Sequence, residues 1–322
     1  MSETSLEDRK ILVTGPAGQI AFPLARELAR HNEVWGIARF SDPVSRREVE
    51  DAGIRTLSID LGDPDFSDMP SDFTHLLHLA ASIAGDDYDQ ALRVNAEGTG
   101  LLLAHCRNVE AALVMSTVSV YKPHADPWHA FREDDPLGDI MLGFAPSYSI
   151  SKIATEAVAR FCARQFGIPI TIARMGASYG PRGGLPVYAM QSVAAGEAVV
   201  TRWDPCPYSP IHDDDILSQT GPLLAAAGTP ATIVNWAGDE AASIQEMAEY
   251  GAQLLGVDAS VAVQPVPGAS IGSVADPARR IELTGPCRVS WRDGLRRVLD
   301  QLHPDRIATA SAHSDNEQED RP

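Results

Sequence analysis

The chain has no run of 18 consecutive apolar residues, so no segment reads as a membrane span. Its first ten residues, MSETSLEDRK, are polar and run straight into a strand, without the apolar centre of a secretory signal. Cysteine is sparse: Cys106, Cys162, Cys206 and Cys287 lie far apart and form no CxxC pair. That spacing argues against a disulfide frame or a zinc site and for reduced thiols in a cytoplasm. Basic charge is also in deficit, with a net charge of −18, which argues against non-specific nucleic-acid binding. No internal repeat divides the sequence. What is left is 44% apolar and 22% charged, the balance of a globular protein. At 322 residues it can form one large domain or two closely joined ones. The last residues, SDNEQEDRP (Ser314–Pro322), offer nothing apolar to bury and are expected to be disordered.

Short apolar segments alternate with helical ones through the first half. Lys10–Thr14, Glu33–Ala38, Arg55–Asp60, Thr74–Ala81, Ala112–Ser116 and Ile170–Arg174 read as strands. The fourth is apolar on both faces, as a central parallel strand is. Helices are expected from Ala21 through His31, over Asp86–Arg107, and from a cap at Ser147 to Phe166. This alternation predicts an α/β fold, a Rossmann-type doubly wound parallel sheet. Past Met175 the texture changes to Gly- and Pro-rich loops, SYGPRGGLP and WDPCPYSP, around a short helix near Val187–Ala195. A further strand is expected at Ala231–Trp236. Ser243 with Glu246 and Ser290 with Asp293 mark the starts of helices reaching Leu255 and Leu302. We expect residues 1–175, joined by 211–236, to form the dinucleotide-binding domain. Residues 176–210 and 237–303 then form a smaller C-terminal substrate-binding lobe over the strand ends, and 304–322 an acidic tail.

Between the first strand and its helix stands Gly15-x-x-Gly18-x-x-Ala21, with Ala17, Gln19 and Ile20 in the same turn. The first glycine permits a tight turn and the second lets backbone approach a pyrophosphate at a helix N-terminus. Arg39 ends the second strand, with Arg46 and Arg47 behind it. A guanidinium there suits a 2′-phosphate and points to NADP, with NAD as the alternative. Asp60 and Leu61 are placed to meet the adenine. Ala80, Ala81, Ser116, Met175, Gly176 and Ser178, at later strand ends, complete the expected cofactor surface. Tyr148 and Lys152 lie four apart on one helix face, where an ammonium makes a phenol easier to ionise. Such a phenol can exchange a proton with a substrate oxygen.

Taken in order, Thr14-Gly15-x-x-Gly18-x-x-Ala21, Leu77-His78-Leu79-Ala80-Ala81, Asn95-x-x-Gly98-Thr99, Ser116-Thr117-x-x-Val120-Tyr121, Tyr148-x-x-x-Lys152, Tyr179-Gly180-Pro181 and Ile211-His212-x-Asp214 form a distinctive series. From Lys10 to about His303 the chain resembles the extended short-chain dehydrogenase/reductases, the NAD(P)-dependent epimerase/dehydratase family. The resemblance implies that Thr117 is catalytic and bonds the reacting oxygen, that Tyr148 exchanges the proton, that Lys152 also bonds the nicotinamide ribose, and that Asn95 supports the site. It also implies a homodimer through the helices near Gln90–Arg107 and Tyr148–Phe166.

The departures narrow the reaction. Dehydratases of the family carry Asp-Glu after the catalytic Thr, where this chain has Val118 and Ser119. Nucleotide-sugar enzymes have an Asn at the place of Ala177, and often an Arg at that of Tyr208 to grip a diphosphate. Arg182 or Arg202 are the candidates to replace it. Trp128, Phe131, Met141, Leu142 and Phe144 suit either a hydrophobic substrate or packing against the sheet. His212-Asp213-Asp214-Asp215 reads as a helix start in preference to a metal site, Asp86–Asp89 also as a helix start, and His75 and His78 as core histidines. The expected function is that of an NADP-dependent oxidoreductase acting on a carbonyl or secondary alcohol of a small, partly hydrophobic substrate, with no nucleic-acid or membrane partner. The alternatives are a nucleotide-sugar 4-epimerase with tightly bound NAD and a non-catalytic dinucleotide sensor.

Overall fold

The computed structural model describes residues 6–83, 85, 87–140, 143 and 145–305. Met141, Leu142, Phe144 and Asp86, and the tail from 306 onward, lie outside the described residues. Seven parallel strands form one sheet: β1 (Lys10–Thr14), β2 (Glu33–Ala38), β3 (Arg55–Ser58), β4 (His75–His78), β5 (Ala111–Thr117), β6 (Ile170–Met175) and β7 (Thr232–Trp236). Their spatial order is β7-β6-β5-β4-β1-β2-β3. The direction of winding reverses between β1 and β4, which opens a crevice at the carboxyl ends of those strands.

Burial on both faces explains why the central strands lack alternation. Every residue of β4, β5 and β6 is buried. Along β1 the side chains still divide by face: Ile11 and Val13 join one apolar cluster and Leu12 the other. Helices Ala21–Leu28 and Asp213–Ala225 cover the first face through Phe22, Leu24, Ile216 and Leu223. Helices Gly98–His105 and Tyr148–Phe166 cover the second through Leu102, Leu103, Ala159 and Cys162. A third cluster sits where helices Leu185–Ala195, Ile244–Leu255 and Trp291–Leu302 meet, around Met190, Met247 and Leu295. Cys106, Cys162 and Cys206 are buried free thiols, and Cys287 is a half-buried one. Among the described residues no helix is long and apolar enough to cross a membrane.

Several elements differ from the expectation. β4 stops at His78 because the Thr14 hydroxyl takes the N–H groups of Leu79 and Ala80, at 3.0 and 2.9 Å. β3 stops at Ser58, and the Asp60 carboxylate then closes a turn by accepting the Gly62 N–H. The helix expected over Asp86–Arg107 is α-helical at Tyr88–Leu92, capped by Asp87, then π-wound at Arg93–Glu97, then α-helical at Gly98–His105. Within the wider turn the Asn95 carbonyl accepts the hydroxyls of Thr99 and Thr155, at 2.5 and 2.8 Å. Ser147 precedes its helix but does not cap it, since its hydroxyl donates to Gly85 O at 3.0 Å. The box at Ser243 and Glu246 forms in full, and Ser290 accepts the Asp293 N–H.

Gly98 shows how tightly these parts meet. A Cβ there would run into Leu61 O, which places the backbone after β3 hard against the helix. Gly98→Ala is therefore expected to destabilise the protein by about 1–3 kcal/mol in urea titrations, although alanine is the better helix former.

Candidate active site

At the carboxyl ends of the strands lies a half-open cavity of about 530 Å³. The turn after β1 forms one wall with Gly15, Ala17, Gly18, Gln19 and Ile20. Arg39, Asp60 and Leu61 close one end, and Ala80 and Ala81 the floor. Ser116, Thr117, Tyr148, Lys152, Met175, Gly176 and Ser178 form the opposite wall. The residues singled out for a dinucleotide thus meet in one cleft. The turn suits such a ligand. Gly15 has φ +65°, and a Cβ on it would sit 3.2 Å from that of Ala80. The helix that follows has no side-chain cap and no acid in its first turn. The Phe22 N–H goes to Gly18 O at 2.9 Å and Pro23 has none, which leaves the N–H groups before them to meet an anion.

Tyr148 opens the helix Tyr148–Phe166 and Lys152 stands one turn later, 2% exposed. Thr117 ends β5, and its hydroxyl accepts the Ser119 N–H at 3.2 Å while meeting the Tyr148 phenol. Burial pushes the Tyr148 phenol up to about 12, with the Thr117 hydroxyl drawing it back. Burial likewise brings the Lys152 ammonium down to about 8, against the pull of Glu156. The phenol expected to ionise more easily is thus harder to ionise, because loss of solvent outweighs the hydrogen bond from Thr117.

Asn95 stands behind the wall. It accepts the Ser82 N–H at 2.7 Å and donates to Ser82 O and Ser151 Oγ, both at 2.9 Å. Ser82 lines the cavity with Ile83, Gln90 and Val94, none of which the sequence singled out. The signal for the last two was their spacing, one helical turn apart, before Asn95. His78 links this wall to β1. Thr14 Oγ1 already accepts two backbone N–H groups, so its proton goes to His78 Nδ1 at 3.0 Å. The ring is then the neutral tautomer whose Nε2–H donates to Thr99 Oγ1 at 2.8 Å. Burial and the nearby Lys152 bring its pKa down to about 3, and it is a core histidine. His75 is buried as well.

Of the arginines near β2, Arg46 is held by Glu50 and Thr56, at 2.9 and 3.1 Å. Arg39 lines the cavity with no hydrogen bond or ion pair from its guanidinium among the described residues. Arg182 is not among the residues that line the cavity. It forms a two-pronged pair with Glu48, at 2.7 and 3.2 Å, and its guanidinium lies 4.2 Å from the centre of the Phe22 ring. Arg202 donates to the hydroxyl of Tyr208 at 2.7 Å. Phe131 is buried and stacks on Tyr121 at 4.9 Å, a packing role, while Trp128 is exposed. Asp213, Asp214 and Asp215 occupy the first turn of their helix, where Asp215 accepts the N–H groups of Arg288 and Val289.

Fold and cleft together define an NAD(P)-dependent enzyme of the Rossmann type. The chain belongs to the NAD dependent epimerase/dehydratase family, whose sequence profile matches residues 11–204. It is 29% identical over 300 residues to a dTDP-4-dehydro-6-deoxy-D-allose reductase of Streptomyces bikiniensis, covering 86% of this chain and 89% of that protein. It is 28% identical over 202 residues to a D-erythronate dehydrogenase of Cupriavidus necator, covering 58% and 60%. The structure resembles that of UDP-glucuronic acid 4-epimerase from Bacillus cereus in complex with UDP-glucuronic acid and NAD. The TM-score is 0.78 at 25% identity, over 91% of this chain and 100% of that one.

The buried Lys152 links stability to pH. Its folded pKa lies below that of an unfolded lysine, so its penalty is complete below pH 8 and fades as pH rises toward about 10.4. Lys152→Met should therefore stabilise the cofactor-free protein by on the order of 3 kcal/mol at pH 7. In urea titrations that gain should shrink as pH rises from 8 toward 10.

Proposed function

We propose that the protein is an NADP-dependent oxidoreductase that interconverts a carbonyl and a secondary alcohol on a small substrate. The observation that supports this reading is the convergence of Thr117, Tyr148 and Lys152 on the cleft that also holds the open glycine turn. When bound, the nicotinamide supplies or takes up the hydride. Thr117 bonds the reacting oxygen, and Tyr148 gives it a proton in reduction or removes one in oxidation. Lys152 stabilises the phenolate that reduction leaves behind and bonds the nicotinamide ribose. Asn95 acts indirectly, by pinning Ser82 on the cavity wall.

Arg39 supports NADP, as a free guanidinium at the place where a 2′-phosphate would lie. The B. cereus epimerase structure contains NAD, which is the alternative. In this proposal residues 1–175 with 211–236 carry the cofactor, and 176–210 with 237–303 receive the substrate. Two copies pair through the helices over 88–105 and 148–166, where Leu101 and Phe161 are exposed at 52% and 60%. The reduced thiols are in keeping with a cytoplasmic enzyme.

A second reading, a nucleotide-activated sugar as substrate, is favoured by Arg202. Among the described residues that guanidinium has no carboxylate partner, and it reaches the hydroxyl at position 208, where the family often keeps its own arginine. The allose reductase relative has a dTDP-sugar in its name. The epimerase alternative shares this requirement.

Tyr148→Phe should abolish turnover while leaving the NADP dissociation constant within about twofold of the wild type; retained activity would sink the mechanism. Arg39→Ala should weaken NADP binding about tenfold or more without weakening NAD. A thermal-shift assay with NADP, alone and with UDP or TDP, separates the substrate readings, because ligands that bind the folded state raise its melting point. A further rise with a diphosphate favours the nucleotide sugar, and its absence favours a small carbonyl compound.

A further inference from the structure

Beneath the cleft lies a charged cluster that the proposed reaction does not use. Glu156 follows Lys152 by one turn on the same helix face, and both are 2% exposed. Its carboxylate accepts Ser116 Oγ at 2.6 Å and both Nε and Nη2 of Arg174 at 2.8 Å. Arg174, from β6, also donates to Glu133 O at 3.1 Å and lies 4.8 Å from the centre of the Tyr121 ring. Three ionisable groups, two cationic and one anionic, are therefore stacked out of water, and only Lys152 opens onto the cleft.

We infer that Glu156 is a positioning residue for the reaction, the one carboxylate among the described residues that keeps Lys152 an ammonium while Arg174 and Ser116 keep that carboxylate in place. The inference rests on the reading of Lys152 as the cation beside Tyr148. Charge supports it. A buried amine without a counter-ion gives up its proton, to a pKa as low as about 5–6. Among the described groups around Lys152, Tyr148 on its own helix and Ser116 and Thr117 from β5 line the same cavity, His78 from β4 feels its charge, and Arg174 from β6 comes by way of Glu156. His78 is neutral and Arg174 is positive, which leaves Glu156 as the negative group. The Lys152 ammonium at about 8 reflects that pull against the cost of burial.

Placement supports it too. Ser116 is the residue before Thr117, and its hydroxyl ties the end of β5 to the same carboxylate. A structural ion pair needs only Glu156 and Arg174. The bond to Ser116 and the one-turn spacing to Lys152 bring that pair into register with the residues that face the cleft.

The chain has three lysines, Lys10, Lys122 and Lys152, so protein labelled with ¹³C at lysine Cε gives three side-chain signals to titrate. Lys10→Arg and Lys122→Arg assign them. In the cofactor-free wild type the Lys152 signal should move with a midpoint near 8. A midpoint below about 6 would overturn the inference, since an uncompensated amine behaves so. Glu156→Gln should lower the midpoint by at least one pH unit, and Arg174→Gln, which removes the competing cation, should raise it. An unchanged midpoint in folded Glu156→Gln would reduce Glu156 to a structural partner of Arg174. Should either variant not fold, the wild-type midpoint and the remaining variant decide. If Lys152 ignores Glu156 while Tyr148→Phe abolishes turnover, this inference falls and the catalytic reading stands. If Tyr148→Phe stays active, the catalytic reading falls whatever the lysine does.

Discussion

The bond between Arg174 and Glu156 ties the helix Tyr148–Phe166 to β6 beneath the cleft. It is closed off from water on both sides, and burying two charges is tolerable only when each is fully met. Here each is. Glu156 takes three hydrogen bonds and Arg174 donates to a backbone carbonyl as well as to the carboxylate. The pair locks the helix Tyr148–Phe166 across β5 and β6, and so sets where Tyr148 and Lys152 stand relative to Thr117. From Arg174 the contacts pass to Tyr121, whose hydroxyl bonds Asn235 in β7 at 2.5 Å, and from Asn235 back to Phe131 O at 2.8 Å. One ion pair thus anchors the ends of three strands, β5, β6 and β7, on one side of the cleft.

The other side depends on neutral hydrogen bonds. Thr14, His78, Thr99 and Asn95 form a chain in which each donor has one acceptor, running from the end of β1 to the π-wound turn. No charge is involved, and the burial that makes the histidine hard to protonate also keeps the direction of the chain fixed. Asn95 ends it by gripping the backbone of Ser82 on both its polar groups. The cleft therefore has one wall held by charge and one by hydroxyls, and both meet the glycine turn at β1.

Much of this was legible in the residues. β1 and β2 fall on the expected bounds, because runs as apolar as KILVT and EVWGIA, closed by a glycine or an arginine, admit few alternatives. The residues proposed for the cofactor line a single cavity, since most were chosen from the turn after β1 or from the ends of parallel strands, and such ends converge. Other details were not legible. Arg182, a candidate for a substrate anion, is claimed by Glu48, 134 residues earlier in the chain. Ser147 looked like a cap, but its hydroxyl goes to Gly85. Glu156 carried no motif of its own that set it apart from a surface acid.

The sequence by itself determined the alternation of strands and helices, the open glycine turn, the one-turn spacing of Tyr148 and Lys152 and the helix starts at Ser243 and Ser290. These follow from periodicity, φ preference and capping, which act over a few residues. Only the tertiary structure decided which arginine is spoken for, which hydroxyl leaves its cap, where the helix widens at Asn95, and that burial makes the Tyr148 phenol harder to ionise. Those outcomes depend on desolvation and on partners far apart in the chain, and neither exists until the strand ends and helices have come together.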